Sequence, residues 1–293
     1  LKGVSWQGCP GVLFYNREAA KDVLGTDDPD EVQNYVCDWD TFNDTAAKMQ
    51  AKGYKMISSV NDTYRVYSNN VSSKWVEDGK VQVDDNIMKW VDDSKKLVDA
   101  KEAGTFDMWS DDWSKGFYPD GKVFCYFGPA WLVNFSMAAD TEGSIGYNGG
   151  WGAAQGPQGF FWGGTWICGA IDSDNQDIVA DIMKVMTCNK DVAKAITEGE
   201  QDYTNNKAAI KELIDGGYTN AFLGGQDHLA LLTKAADKIS LENKLSAYAQ
   251  GCNEKFQGAM KDYFLGTVDS YEAALENFKK NITDLYGNLT CDF

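Results

Sequence analysis

A single histidine, five prolines and seven scattered cysteines limit the chemistry open to this chain of 293 residues. One histidine cannot build a multi-histidine zinc site, and it leaves little for a Ser-His-Asp arrangement. His228 precedes an apolar run and reads as a surface residue near a helix N-terminus. Cys9, Cys37, Cys125, Cys168, Cys188, Cys252 and Cys291 lack the Cys-x-x-Cys spacing of metal or redox motifs, and an odd count forbids complete internal pairing. Buried thiols acting as small apolar side chains are the expected role. No run approaches the roughly 20 apolar residues that a membrane-spanning helix needs. Basic residues are also scarce. With 27 Lys and Arg against 44 Asp and Glu, the net charge of −17 argues against a nucleic-acid partner, which requires a basic face. Nucleotide-binding glycine signatures are missing too, because GGWGAAQG (149–156) has no Lys-Ser/Thr after it. No cofactor is expected.

What is present is a folded chain longer than one usual domain, with 43% hydrophobic and 13% aromatic residues. Two lobes are the default expectation. The stretch 146–169, GYNGGWGAAQGPQGFFWGGTWICG, packs Trp151, Phe160, Phe161, Trp162 and Trp166 among glycines with no charge. Glycine permits close backbone approach, and flat indole faces beside it suit a flat, weakly polar partner such as a sugar ring. A glycine-punctuated core strand explains the same stretch equally well.

Along the chain, residues 11–15 read as a buried strand, followed by a short helix with Asn16 as N-cap and Gly25 as C-cap. Asp40 is a candidate cap for the next helix, on which Phe42, Ala46 and Met49 share a face. The strand 54–58 leads into a polar segment holding Asp62, Tyr64, Arg65 and Tyr67 just beyond a strand end, where open α/β sheets bind ligands. Residues 84–103 predict a helix, 123–127 a strand, and Pro129 the start of a helix with Trp131 in its first turn. After the strand 165–171 the pattern is helical, with segments near 174–187, 191–199, 205–215, 227–237, 241–264 and 268–287. Asp172, Asp174 and Asp177 depart from a calcium loop at required positions and read as a helix-capping cluster. Asp111-Asp112 and Asp92-Asp93 read as solvated acidic faces, since adjacent helical residues do not face each other across a bond as glycosidase carboxylates must.

The order of these features is more telling than any one of them. VLFYNREAAKDVLG, DWDTFNDTAAKMQAKGYK, FYPDGKVFCYFGPAWLVNF and FFWGGTWICGAIDSDNQDIVADIMKVMT together resemble the extracellular solute-binding proteins of carbohydrate ABC transporters, the maltose-binding-protein-like family. The matching positions are Tyr15-Asn16 at a hinge strand, Trp39-Asp40 at a helix start, Gly121-Lys122 leading to Trp131, and Gly163-Gly164 running to Ile171. Ala130, inserted before Trp131, leaves that register open by one residue. The chain lacks the long segment that precedes the hinge strand in this family, so it is expected to be a processed or truncated form. Its opening, LKGVSWQGCPGVLFYN, reads like the interior of a domain rather than a secretion leader.

The resemblance implies an α/β fold of the type II periplasmic-binding-protein-like, two-lobe kind, here mainly the C-terminal lobe with several added helices. Residues 1–162 would form the first part of that lobe, 163–205 a segment belonging to the N-terminal lobe, and 206–293 the helical return. Lacking its usual sheet partners, the segment 163–205 would be rearranged, paired with another chain or left exposed. The resemblance further implies a non-enzymatic protein that captures a sugar or oligosaccharide and delivers it to a membrane permease. Its location would be extracellular, at the cell surface by a lipid anchor, or periplasmic. Trp6, Gln7, Tyr64, Arg65, Trp131, Trp162, Gly164 and Trp166 are the expected ligand-binding residues, with core packing an open alternative for each tryptophan. Self-association is conceivable for a chain missing one wall. The alternatives are a glycoside hydrolase using an Asp/Glu pair and a peptide or metal binder on a related fold.

Overall fold

A computed structural model describes residues 3–138 and 140–293. The chain opens with β1 (Val4–Ser5) and β2 (Pro10–Asn16), then passes through α1 (Arg17–Leu24), α2 (Pro29–Gln33) and α3 (Trp39–Ala51) to β3 (Lys55–Ile57) and α4 (Asn61–Asn69). The hairpin of β4 (Val76–Glu77) and β5 (Lys80–Val81) leads to α5 (Asp85–Asp99), α6 (Asp111–Ser114) and β6 (Val123–Gly128). Strands β7 (Trp151–Ala154), β8 (Phe160–Phe161) and β9 (Trp166–Ile167) precede a largely helical remainder. It comprises α7 (Gln176–Cys188), α8 (Lys190–Glu200), α9 (Lys207–Asp215), α10 (His228–Ala236), α11 (Ala249–Phe264), α12 (Tyr271–Leu285) and the closing β10 (Thr290–Cys291).

Strand β2 is the centre of the main sheet, whose order is β3-β6-β2-β7 with β8 also paired to β2. It runs antiparallel to β6, β7 and β8, while β3 lies parallel to β6. Because side chains alternate across a strand, Leu13 and Tyr15 enter one core while Val12 and Phe14 enter the other. Helices cover both faces, which is why this strand reads as a continuous apolar run rather than as alternation. Each such burial stabilises by about 1.5–3 kcal/mol. Gly11 has a spatial reason: a Cβ there would lie 2.1 Å from the Phe160 ring.

Local signals set several boundaries as expected and missed others. The Asn16 side chain accepts from the Glu18 and Ala19 amides, and Gly25 closes α1 with a left-handed φ of 80°. The cap of α3, however, is Asp38 rather than Asp40, because Asp38 and Thr41 form a reciprocal capping box. Helix α7 begins after Asn175 with no side-chain cap, so the Asp172–Asp174 carboxylates do not cap it. The expected strand 165–171 is only Trp166–Ile167, and the helix expected from 241 starts at Ala249. Asp93 is buried rather than solvated, accepting from Tyr67 Oη at 2.7 Å and pairing with Lys89. The seven cysteines are unbridged, with Cys9, Cys125 and Cys252 buried but Cys37, Cys168 and Cys188 exposed.

Strands β1 and β9 form a separate two-stranded sheet, with Val4 opposite Ile167 and Ser5 opposite Trp166. Helix α7 accompanies it, burying no residue and presenting Ile178, Ile182 and Val185 to solvent. The apolar side of this segment is thus left exposed. Three stretches of chain connect it to the main body and lie side by side. The Gly8 amide donates to the Tyr203 carbonyl at 2.9 Å, Asn205 to Trp6 at 2.9 Å, and Trp162 to Cys9 at 3.1 Å. The Gln7 amide group spans the junction: its oxygen accepts from Thr165 Oγ1 at 3.0 Å and its nitrogen donates to Asp202. Gly163 and Gly164 carry the chain across with φ of 88° and 113°, values that a side chain resists.

Behind the junction, His228 is buried, contrary to its expected surface position, with Nε2 3.2 Å from the Gln201 carbonyl. Burial holds its pKa down at about 4, outweighing the Gln201 carbonyl and Asp227. Unfolded, the imidazole protonates near its ordinary value of about 6.5. The contribution of His228 is therefore complete above that value and is lost as pH falls towards 4. His228→Gln, which retains a donor for the Gln201 carbonyl, should reduce the acid loss of unfolding free energy by about 3 kcal/mol between neutral pH and the folded pKa. Urea titrations across that range check this, and parallel pH profiles for the two proteins would contradict it. Gly164→Ala should cost about 1–3 kcal/mol through backbone strain, read as a lower urea midpoint; an unchanged midpoint would contradict it.

Candidate ligand-binding groove

A groove of about 1250 Å³ opens directly above the junction. Its floor is built by Trp6, Gln7, Gly163, Gly164, Thr165 and Asp202, which all belong to the crossing stretches. On the main-body side, α4 contributes Asn61 and Arg65, and α11 contributes Glu254, Gln257 and Lys261. Those α11 positions recur at helical spacing, so one polar face of the helix looks into the groove. Met186 of α7 with Ile196 and Glu200 of α8 form the opposite wall. Asn134 reaches across, its amide donating to the Glu200 carbonyl at 2.6 Å.

Besides Trp6 in the floor and the exposed Phe135, the aromatic lining is a cluster of three indoles. Trp131 follows β6, where the chain tightens into a π-helical turn (Leu132–Ser136). Its ring meets Trp162 at 5.2 Å and 66°, and Trp109 at 6.2 Å and 28°. Trp109 in turn lies 5.7 Å from Trp162. Trp109 is half exposed, and all three line the groove. Indoles supply broad apolar faces at little conformational cost.

Of the residues expected from the sequence, Trp6, Gln7, Arg65, Trp131, Trp162 and Gly164 line this groove together. Tyr64 does not. The polar segment after β3 is the helix α4 rather than a loop, and successive helical residues diverge by about 100°. Arg65 therefore faces the groove while Tyr64 is fully buried, edge-on to Trp90, with its hydroxyl donating to Asn253 at 2.6 Å. Trp166 is also outside, because strand alternation turns Thr165 into the groove and Trp166 out to solvent. In the glycine-rich stretch, Trp151 and Phe160 are core residues and only Trp162 serves as a groove aromatic. Trp109, Asp107, Asp202 and Lys261 were not anticipated. The polar face of α11 was the one available signal for Lys261.

The groove's charges are mostly accounted for. Lys261 Nζ donates to both carboxylate oxygens of Asp107, at 2.6 and 2.8 Å. Asp202 is buried, and burial raises its pKa to about 6 against the lowering effect of the Tyr203 amide and Gln7. Arg17, elsewhere, spends its guanidinium on the carbonyls of Trp151, Asp27 and Leu223. Arg65 has no such acceptor among the described residues. Burial pulls its pKa below the usual guanidinium range while Tyr64 and Glu254 favour the charge. It remains a cation with its donors free for a ligand. Against Arg65 and Lys261 stand Asp107, Glu200, Asp202 and Glu254, an excess of carboxylate that disfavours an anionic ligand. Among the described residues no cluster of His, Cys, Asp and Glu could hold a metal ion.

Comparison with known proteins gives this geometry a setting. The family model described as bacterial extracellular solute-binding protein matches residues 1–221. No curated protein matches the chain. Among solved structures, an extracellular solute-binding protein of family 1 superposes with a TM-score of 0.82 at 18% identity, over 96% of this chain and 73% of its own. The ABC-transporter-associated binding protein of B. animalis subsp. lactis Bl-04, in complex with β-1,6-galactobiose, gives 0.77 at 19% identity over 100% and 75%. The galacto-N-biose/lacto-N-biose I-binding protein of Bifidobacterium longum, in complex with lacto-N-biose, gives 0.71 at 17% over 99% and 72%. At these identities the likeness carries the fold, an α/β architecture of the type II periplasmic-binding-protein-like kind. Nothing in these matches supports the hydrolase alternative, since the family and these neighbours are described as binding proteins. With most of its length matched by that family model, the chain belongs to the bacterial extracellular solute-binding proteins.

Proposed function

We propose that this protein is the substrate-binding component of an ABC transporter that captures a neutral sugar or oligosaccharide and delivers it to a membrane permease. The observation carrying this reading is the indole cluster of Trp109, Trp131 and Trp162 in one groove with polar side chains. Indole faces suit the apolar faces of pyranose rings, and Arg65, Gln7, Asn61 and Gln257 suit hydroxyls. Saccharide complexes of the structural neighbours point the same way. Residues 1–162, apart from β1, and 206–293 then act as one lobe, and 163–205 together with β1 as part of the other, the two closing about the three crossings. At the cell surface a lipid anchor would hold it beside the permease.

Titration with β-1,6-galactobiose, lacto-N-biose and acarbose, followed by tryptophan fluorescence and calorimetry, tests this directly. At least one should give a saturable response whose Kd changes little with salt, because a neutral ligand leaves no charge to screen. Silence towards all three in both readouts would count against the saccharide reading, and steep weakening by salt would indicate an anionic ligand. For the saccharide that binds, Trp131→Ala should weaken affinity about thirtyfold, the effect of losing one central aromatic anchor. An unchanged Kd would remove Trp131 from the site.

A further inference from the structure

A chain of hydrogen bonds crosses the junction from the groove to a buried carboxyl group. Thr165 Oγ1, exposed in the groove floor, donates to Gln7 Oε1 at 3.0 Å. Gln7 Nε2 donates to Asp202 Oδ2, and the Tyr203 amide donates to Asp202 Oδ1 at 2.7 Å. Each link has a fixed direction. An ionised carboxylate can only accept, so the Gln7 amide must turn its NH2 towards Asp202 and its oxygen towards Thr165. The threonine hydroxyl then has its one proton committed to Gln7, and towards the groove it can only accept.

Asp202 is buried, and no cation among the described residues offsets its charge. The titratable groups facing it are Glu200 at the end of α8, Cys9 just before β2 and Tyr218 beyond α9. Burial pushes both Cys9 and Tyr218 up to about 12, so they stay protonated, while Glu200 adds a like charge. His228 of α10 bonds the neighbouring Gln201 carbonyl and, held down at about 4, is neutral. A carboxyl in such surroundings takes up a proton readily, and the geometry leaves that proton one place. Oδ1 is engaged by the Tyr203 amide, so the proton sits on Oδ2, facing Gln7. An O–H there needs an acceptor, which the Gln7 amide supplies by turning its oxygen round. Its NH2 then donates to Thr165 Oγ1, whose hydrogen is released towards the groove. Both links survive with their direction reversed, and one proton is taken from solvent.

We infer that Asp202 is a positioning residue that sets, through Gln7, whether Thr165 accepts from the ligand or donates to it. Thr165 accepts when Asp202 is ionised and donates when Asp202 is protonated. The effect on affinity rests on the saccharide reading above, whereas the reversal of the relay does not.

Neutron diffraction from crystals of the ligand-free protein at about pD 8 and about pD 5 reads the relay directly, since these values bracket the Asp202 pKa of about 6. The Gln7 ND2 group should face Asp202 at the higher value and Thr165 at the lower. A single orientation at both would overturn the inference. Asp202→Asn supplies the second arm: its oxygen keeps the Tyr203 amide, so its NH2 must face Gln7 and hold the relay reversed at every pH. Wild type and Asp202→Asn are titrated calorimetrically with β-1,6-galactobiose, lacto-N-biose and acarbose at the same two acidities. For the saccharide that binds, the two proteins should share one Kd at about pH 5 and differ about threefold or more at about pH 8, the effect of one hydrogen bond. Asp62, bonded to Trp113 and raised by burial to about 7, titrates in the same range but is common to both proteins, so the comparison cancels it. Equal Kd at both values, or a difference that persists at about pH 5, would overturn the role in ligand recognition. A wild type silent to all three sugars would fail the saccharide reading, and the relay would then stand or fall on the neutron maps alone.

Discussion

The groove depends on one bonded junction, where residues 6–9 run between the stretches 162–165 and 202–205. Backbone bonds fix the three stretches to one another, and Gln7 adds a side-chain link to Thr165 on one side and Asp202 on the other. The same stretches form the groove's floor, so a molecule bound there would touch the crossings themselves. Two bodies joined by a few crossings can rotate relative to one another without disturbing either core, because packed interiors resist deformation while short linking segments absorb it. Gly163 and Gly164, with their left-handed backbones, occur where such a link needs freedom from side-chain constraint.

Tryptophan serves two purposes in this molecule, and position relative to the main sheet decides between them. Trp90, Trp113 and Trp151 are fully buried and contribute to the cores flanking β2. Trp109, Trp131 and Trp162 sit where the sheet ends and the chain turns towards the crossings, each with part of its ring open to the groove. The two sets touch, because buried Trp113 supports Trp109. Core packing thereby fixes the height and tilt of a surface ring, which is how a rigid body positions a binding face.

Much of this was legible before any coordinates. The apolar run 11–15 and the Asn16 and Gly25 caps are local signals, and each gave the element it implied. Six of the eight anticipated residues meet in one groove because sequence order along the family pattern places them near the crossings. The two that do not meet it fail for reasons of phase. Tyr64 and Arg65 are neighbours in sequence but diverge on a helix, and Thr165 and Trp166 alternate on a strand. Phase was unreadable there because both segments are short and rich in aromatic and polar residues, leaving no clean period. Trp109 was hidden for a different reason, since its φ of 73° puts tryptophan at a glycine-type position, which carries no turn signature. Lys261 and Asp107 are far apart in sequence, and their pairing is a product of the fold.

The central claim is that a saccharide lies against the indole cluster above the junction. A crystal structure of the protein with its tightest-binding saccharide tests it most directly. The expected result is a sugar ring in van der Waals contact with Trp109, Trp131 or Trp162 and hydroxyls accepting from the Arg65 guanidinium. A ligand bound elsewhere, or one held in the groove without touching any of the three indoles, would contradict it.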